Sequence, residues 1–555
     1  MMDDGGEAKS GQACWSGLRR PAWLARGLPV LLFVVLAALI LLTFRDYGIT
    51  WDEDAGQSYG QQLADWYSSL GRKDIATRSD FVRFYGGLVE IIAHVVQKNP
   101  PLKVFGPYEA RHLVNAMFGI LGIFFSYRLG RLLAGPSAGL TAAAFLTLTP
   151  VYYGHMFANA KDIPFAAMYV GGVYAICALR RQLPAVSWGT LTRAGLAIGL
   201  TLAVRIGGVF LFALLVLAVA ITVLPGLRDQ ESQARWLNVL RPGSLLKIFA
   251  FVPALAWALM CVFWPFALVS PVRHPLEAIQ TFSKYSWRGN LLFNGRVVDS
   301  HAVPLDYIPV WLAVSMPDFL LIVALVVVLG LVLGRFRQLA GQHWADTLLV
   351  LVAGLLPPLL IVVERATLYD GIRHVLFCLP PLITVLAVAF TSVVSGMKRA
   401  LPKAAVLIAV GLGLLITAID MVRLHPYQTV YFNRIVAGGL PGASGRFDTD
   451  YWGSSFKEGV QWVLKHVPVV EGRRVRVGNT CASYLTGYYI ERDPAASRYF
   501  ENVSMDEGKR GDVDIVLAIT RDDGQKKVPG RVLYRVERFG VPLCYVIRVN
   551  PGQEF

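Results

Sequence analysis

Three consecutive carboxylates, Asp52, Glu53 and Asp54, stand just past the first apolar segment of the chain, with Trp51 before them and Tyr59, Trp66 and Tyr67 after. Charged groups at the edge of an apolar span cost too much in desolvation to serve as membrane anchors, so they call for water, a partner or a chemical role. Polar clusters recur between later apolar runs: His155, Asn159, Lys161 and Asp162; Arg205; Lys284, Tyr285, Arg288 and His301; Arg365, Tyr369, Asp370, Arg373 and His374; Asp450, Tyr451 and Trp452. Acids early and cations late suit transfer from an anionic, lipid-linked donor. A carboxylate takes the proton of an acceptor hydroxyl as general base, while Arg and Lys hold a phosphate leaving group and stabilise its growing charge. A second carboxylate can orient the acceptor or hold a divalent cation, with Asp52 and Asp162 the candidates.

The elements that position these groups are membrane helices. Of 555 residues, 55% are hydrophobic and only 16% charged, far from a soluble composition. The mean hydropathy is +0.49. The formal charge of +15 is scattered through short loops, with no basic arm or stripe, so a nucleic-acid partner is not expected. Apolar runs at about 27–44, 111–134, 137–153, 163–180, 189–204, 206–224, 246–269, 307–334, 346–363, 373–396 and 403–422 predict about eleven transmembrane helices. Arg205 interrupts the stretch from Ala194 to Leu224, which predicts a tight hairpin with Arg205 at its tip.

Basic loops fix the orientation. With the tail 1–26 (Arg19, Arg20, Arg26) inside, the same side collects Arg128/Arg131, Arg180/Arg181/Arg193, Arg228/Arg235/Arg241/Lys247, Arg335/Arg337 and Lys398/Arg399/Lys403. The transmembrane domain is then 27–422, with long outer loops 45–108 and 270–306, and 423–555 lies outside as a small α/β domain. Within the first loop, 55–70 and 80–97 suit short amphipathic helices on the membrane surface. No C-x-x-C pair occurs among six cysteines, and Cys481 with Cys544 is the one disulfide candidate, since both fall in the outer domain.

Several motifs then resemble a known family. Trp51-Asp52-Glu53, the run from Gly154-His155 through Asn159-Ala160-Lys161-Asp162 to Pro164, and Gly199-Leu200-Thr201-Leu202-Ala203-Val204-Arg205 are similar to the GT-C membrane glycosyltransferases of family 39, the protein mannosyltransferase and aminoarabinose transferase type. Tyr369-Asp370-Gly371-Ile372-Arg373-His374, Tyr431-Phe432-Asn433 and Asp450-Tyr451-Trp452-Gly453 resemble bacterial members. The resemblance covers roughly 45–455. It implies a GT-C fold in a bacterial inner membrane, and a sugar moved with inversion from a polyprenyl monophosphate to a hydroxyl on the outer face. The acceptor class, whether lipid A, a surface glycan, another lipid or a protein, stays open. Carried over, Asp52 is the base with Glu53 beside it, and Asp162 is the second acidic residue. Arg205 lies near the donor phosphate with Lys161, Arg365, Arg373 and His374, and His155, Asn159, Tyr369, Asp370, Asp450, Tyr451 and Trp452 contact substrate. The chain departs from the family in lacking a C-terminal β-trefoil of the MIR type.

Simpler roles compete at each position. Asp162-Ile163-Pro164 reads as a helix N-cap with early Pro, Arg205 as a snorkelling helix end, and Asp450 as the cap of a helix beginning near 455. His155 and His301 lack the spacing of a zinc site. The alternative function is a transporter or flippase of lipid-linked sugar, which also needs intramembrane cations but places them near the midplane, often in repeated broken helices.

Overall fold

A computed structural model of the chain describes residues 22–73, 77, 81–99, 105–228, 237, 242–335, 344–469, 472–505 and 513–549. Arg19, Arg20, Arg235, Arg241, Arg337 and Cys14 lie outside them. Within them the chain is an α-helical polytopic membrane protein that ends in a small α/β domain.

All eleven apolar runs fold as helix, though not as eleven long spans. Seven described helices are long and apolar enough to cross a membrane, from Pro107–Thr147 to Ala400–Leu424. An eighth is counted if Tyr307–Ser315 and Asp318–Leu333 form one broken span, and Gly27–Thr43 is a shorter apolar helix. The first of the seven, 41 residues long, is itself two arms, because Ala134 (φ −144°) and Gly135 (φ +87°) leave helical geometry just before Pro136. The positive φ suits Gly because no Cβ has to be accommodated. The Tyr152 hydroxyl reaches the Gly119 carbonyl, and Gly130 lies against Ala138, so the arms run antiparallel as the runs 111–134 and 137–153 require.

Two apolar runs differ from simple spans. The run 307–334 bends by 107° at Met316-Pro317, because Pro317 cannot supply the amide that would continue the first helix. The run 189–224 reverses at Ala203-Val204-Arg205, as the sequence predicts, but its arms do not form an isolated hairpin. Gly207 sits by Phe165, Leu211 by Gly172 and Thr222 by Arg180, so the second arm runs alongside Asp162–Arg180. The first arm, Trp188–Leu202, also packs on Asp162–Arg180 and sets Gly195 and Gly199 against Leu255 and Ala256 of Val252–Phe263.

The first loop carries the two expected helices, Glu53–Ser68 and Leu88–Lys98, joined through the short turn Phe81–Phe84. The C-terminal domain is a mixed sheet of β3 (Val475–Asn479), β4 (Phe500–Asn502), β5 (Ile515–Ile519), β6 (Gly530–Arg538) and β7 (Val541–Val549), in the order β4-β3-β5-β7-β6. The hairpin of β1 (Asn290–Phe293) and β2 (Arg296–Asp299) lies in the loop 270–306. The helix Phe456–His466 buries Phe456, Val460 and Val463 on one stripe, with Gly459 against Leu517 and Cys544 of the sheet. Cys544, buried on β7, and Cys481 remain separate thiols, which corrects the disulfide expectation: Cys544 is committed to the sheet core and Cys481 to the turn after β3.

The domain docks onto the end of the bundle that carries the first loop. The Arg538 guanidinium bonds the carbonyl of His425, which closes the helix Ala400–Leu424, at 3.1 Å, while Arg492 pairs with Glu109 at 3.0 Å. The Ile49 amide donates to the Tyr489 hydroxyl at 2.8 Å, and the Trp51 amide to the Trp452 carbonyl at 3.2 Å. A Cβ on Gly48 would stand 2.0 Å from the Ser454 carbonyl, so only Gly lets the two segments approach this closely. The first acidic loop is therefore clamped from both sides.

Candidate active site

Three chain segments that are far apart in sequence converge on Asp52. Its Oδ2 accepts from Arg373 Nη1 at 3.0 Å and lies 3.8 Å from Lys161 Nζ. Arg373 in turn lies 3.7 Å from Asp370 Oδ2, and Asp370 Oδ1 is 2.9 Å from Arg521 Nη1 of the C-terminal domain. The Trp452 indole N–H donates to Asp370 Oδ2 at 3.3 Å. The result is a row of alternating charge: Lys161, Asp52, Arg373, Asp370, Arg521. Asp52, with 37% of its side chain exposed, opens into a cavity of about 390 Å³ that Asp370 and Asp522 also line. Trp51, Trp287, Tyr369, Arg373 and Arg521 line the same cavity.

A second constellation adjoins this one. Asp162 pairs with Arg205 and accepts from Asn159 Nδ2 at 2.9 Å, and Asn159 also meets His155 Nδ1 at 3.1 Å. Arg205 and Lys161 lie over the same Tyr85 ring, at 5.4 and 4.9 Å from its centroid. Arg205 faces a mostly apolar cavity of about 290 Å³, whose walls include Phe165, Phe210, Phe282 and His374. Tyr285 and Tyr369 line both cavities, so the polar and apolar chambers share a wall. The Arg373 guanidinium lies over the rings of Tyr369 and Trp452, at 4.8 and 5.1 Å.

These pairings set the charges. Burial pushes the Asp52 carboxyl up, but Lys161 and Arg373 outweigh it and hold the group well below the usual carboxylate range. For Asp370 burial wins, and its carboxyl is raised despite Arg521 and Arg373. Burial opposes charge on Arg205 and Arg521, yet Asp162 and Asp370 respectively keep each guanidinium firmly protonated. Burial lowers His155 to about 4, so the ring is neutral at physiological pH.

The remaining sequence candidates have other roles. Glu53 turns inward: Oε2 accepts from the Thr50 amide at 2.8 Å, and Oε1 lies 3.0 Å from His112 Nε2. It closes the first helical turn instead of facing a cavity. Asp450 accepts from the amides of Gly453, Ser454 and Ser455, at 3.0, 3.2 and 2.8 Å, so it is a buried brace of the turn ahead of Phe456–His466 and not the helix cap that the sequence suggests, since the N-cap position is Ser455. Arg365 is exposed, at φ +49°, and lines neither cavity. His155 and Tyr451 meet at 3.4 Å behind Trp452, as a supporting layer.

Asp52 and Asp162 do not fit a protein-built cation site, since each is matched to a guanidinium. Among the described residues no group of three or more His, Cys, Asp or Glu side chains is arranged to hold a metal ion. Sequence reasoning placed Tyr285 in an outer-loop cluster without giving it a role, and missed Tyr85, Trp287 and above all Arg521. The aromatic pair Tyr285 and Trp287 beside Arg288 was a usable signal, whereas nothing local marks Arg521.

No family profile and no curated protein sequence matches the chain. Solved structures do. ArnT from Cupriavidus metallidurans aligns over 94% of this chain and 98% of its own in the apo state, at 14% identity and a TM-score of 0.48. The same protein bound to undecaprenyl phosphate aligns over 93% and 97%, at 13% identity and a TM-score of 0.46. The archaeal oligosaccharyltransferase AglB from Archaeoglobus fulgidus, in complex with an inhibitory peptide and a dolichol-phosphate, aligns over 90% and 69%, at 11% identity and a TM-score of 0.46.

Proposed function

We propose that this chain is a membrane glycosyltransferase of the GT-C type. It moves a sugar from a polyprenyl-monophosphate donor to an acceptor hydroxyl on the extracytoplasmic face, with the N-terminus inside. The observation that carries this reading is the shared wall of Tyr285 and Tyr369. On one side an apolar chamber with a cation at its head suits an isoprenoid phosphate, and on the other a polar, aromatic-lined chamber holds the carboxylate.

The lipid lies against Phe165, Phe210 and Phe282, and its phosphate meets Arg205 and Lys161 above Tyr85. The sugar projects past Tyr369 into the cavity of Asp52. The acceptor oxygen attacks the anomeric carbon from the face opposite the phosphate, so the configuration inverts. As the new C–O bond forms, the bond from the anomeric carbon to the phosphate oxygen breaks. Its electron pair leaves with the phosphate, and the acceptor proton passes to Asp52. Arg205 and Lys161 neutralise the charge that gathers on the leaving group.

The resting pairing makes Asp52 a weak base, because Arg373 and Lys161 hold its proton affinity down. An arriving phosphate competes for Lys161 and weakens that hold. Basicity thus rises when donor is present, which couples proton removal to a loaded site.

Mass spectrometry of lipids that co-purify in mild detergent, before and after candidate acceptors are added, tests the reading. A polyprenyl-phosphate sugar that loses its sugar on acceptor addition supports it. A bound lipid that never turns over favours a transporter of lipid-linked sugar, and no bound isoprenoid phosphate counts against both.

A further inference from the structure

We infer that Arg521, contributed by the C-terminal domain, is a positioning residue for the Asp52 site and acts through Asp370 and Arg373. The geometry is a competition for one nitrogen. Arg373 Nη1 lies 3.0 Å from Asp52 Oδ2 and 3.7 Å from Asp370 Oδ2, so two carboxylates share a single guanidinium edge. Arg521 Nη1, 2.9 Å from Asp370 Oδ1, offsets the charge of the competitor and leaves Arg373 to Asp52. Asp370 is 5% exposed at the wall of the cavity, so the little water that reaches it replaces the charge of Arg521 poorly.

Arg521 is built to stay there. It follows directly on β5, donates to the Tyr451 carbonyl at 3.0 Å, and stands over the Trp287 ring at 5.4 Å. Its neighbour Thr520 meets Thr449 hydroxyl to hydroxyl at 3.1 Å, which ties the end of the strand to the segment that carries Tyr451 and Trp452. The next residues, Asp522 and Asp523, take left-handed backbone angles of φ +51° and +54°, so the chain turns sharply away once Arg521 is delivered. The part of the C-terminal domain beyond the sequence resemblance thus reaches the site, with Arg521 beside Thr480, Cys481 and Lys527 in the cavity wall.

Without Arg521, Asp370 keeps only Arg373 and the Trp452 N–H, and it draws Arg373 off Asp52. The other titratable groups facing Asp52 are Lys161, Arg205, Asp370, His374, Tyr285, Tyr369 and Tyr484, and those facing Arg521 are Asp370, Asp448, Asp522 and Cys481. None of them can take over the 2.9 Å contact to Asp370, so the loss is read at Asp52.

The test is an infrared titration of the Asp52 carboxylate in the full chain in lipid nanodiscs, with its band assigned by subtracting the Asp52→Asn spectrum. Arg521→Ala moves the midpoint up by about one pH unit, Arg521→Lys moves it less, and Arg521→Ala/Asp370→Asn returns it to the wild-type position. Asp370→Asn alone, which does not depend on Arg521→Ala folding, leaves the midpoint at or below wild type. The inference is overturned if Arg521→Ala leaves the midpoint in place, if the double variant stays with Arg521→Ala, or if Asp370→Asn raises it. The kinetic consequence rests on Asp52 as base: the acid limb of transfer rate against pH shifts with the midpoint. If wild type performs no transfer while the infrared shifts hold, the transferase reading fails and the linkage stands.

Discussion

Two charged networks meet in the first loop, and they differ in what they face. One is the row from Lys161 through Asp52 and Arg373 to Asp370 and Arg521, which borders a cavity. The other lies beneath the helix Glu53–Ser68: Glu53 meets His112 at 3.0 Å and Glu90 meets Arg111 at 2.6 Å, all four nearly sealed from solvent. Both pair carboxylates with basic side chains, and Asp52 and Glu53 are neighbours in the chain. Access separates them, since a base needs room for the group whose proton it takes, whereas a sealed pair can only hold helices together. Gly56 illustrates the second case, because a Cβ there would lie 2.5 Å from Arg111 and 2.8 Å from Glu90.

Substitutions in the two networks should therefore fail in different ways. Asp52→Asn should cost roughly 10²–10⁴-fold in transfer rate with an unchanged melting temperature, measured with radiolabelled donor and by thermal shift. Full transfer in that variant would remove Asp52 as base. Arg111→Leu should destabilise by about 3–5 kcal/mol, because it leaves Glu90 buried without its partner, while the protein that remains folded keeps its transfer rate. A denaturation midpoint equal to wild type would show that the lower network is not structural.

Asp450→Ala belongs with the structural network. Loss of its bonds to the turn 453–455 should cost about 1–3 kcal/mol and leave donor affinity unchanged, so a selective rise in the KM for donor would contradict the structural assignment. A pH-dependent effect is expected at Asp448, whose carboxyl burial raises to about 7. In the unfolded chain this group ionises near pH 4, at roughly 3.9, so between about pH 4 and 7 the unfolded state loses the proton that the folded state keeps. Stability should fall as pH rises through that window and level off above it. Asp448→Asn should flatten this part of a melting-temperature profile, and parallel profiles for variant and wild type would refute the assignment.

Hydropathy is a local property, and it carried most of the helical architecture. The apolar runs became helices, the reversal at Arg205 was foreseen, and the helices 53–68 and 88–98 follow from their amphipathic pattern. Residue types alone also marked Asp52, Lys161, Asp162, Arg205, Asp370 and Arg373, because charge beside apolar spans is expensive and has to be matched. The bend at Met316-Pro317 was legible only as a Pro within a span, and the separation of Cys481 from Cys544 was not legible at all.

What tertiary structure decided was the partner of each charge. Arg373 finds Asp52 across more than three hundred residues, and Arg521 finds Asp370 across about one hundred and fifty. Ion pairs of that span leave no periodicity in the sequence. Whether Glu53 or Asp52 meets the cavity depends on one turn of backbone, fixed by the Thr50 amide, His112 and the Trp452 carbonyl. Composition determined that this chain would bury its helices in a membrane and gather charge at their ends, since desolvation is a property of each residue. Only the packed fold determined which charges would neutralise one another and which would be left facing a cavity, since that depends on distance in space.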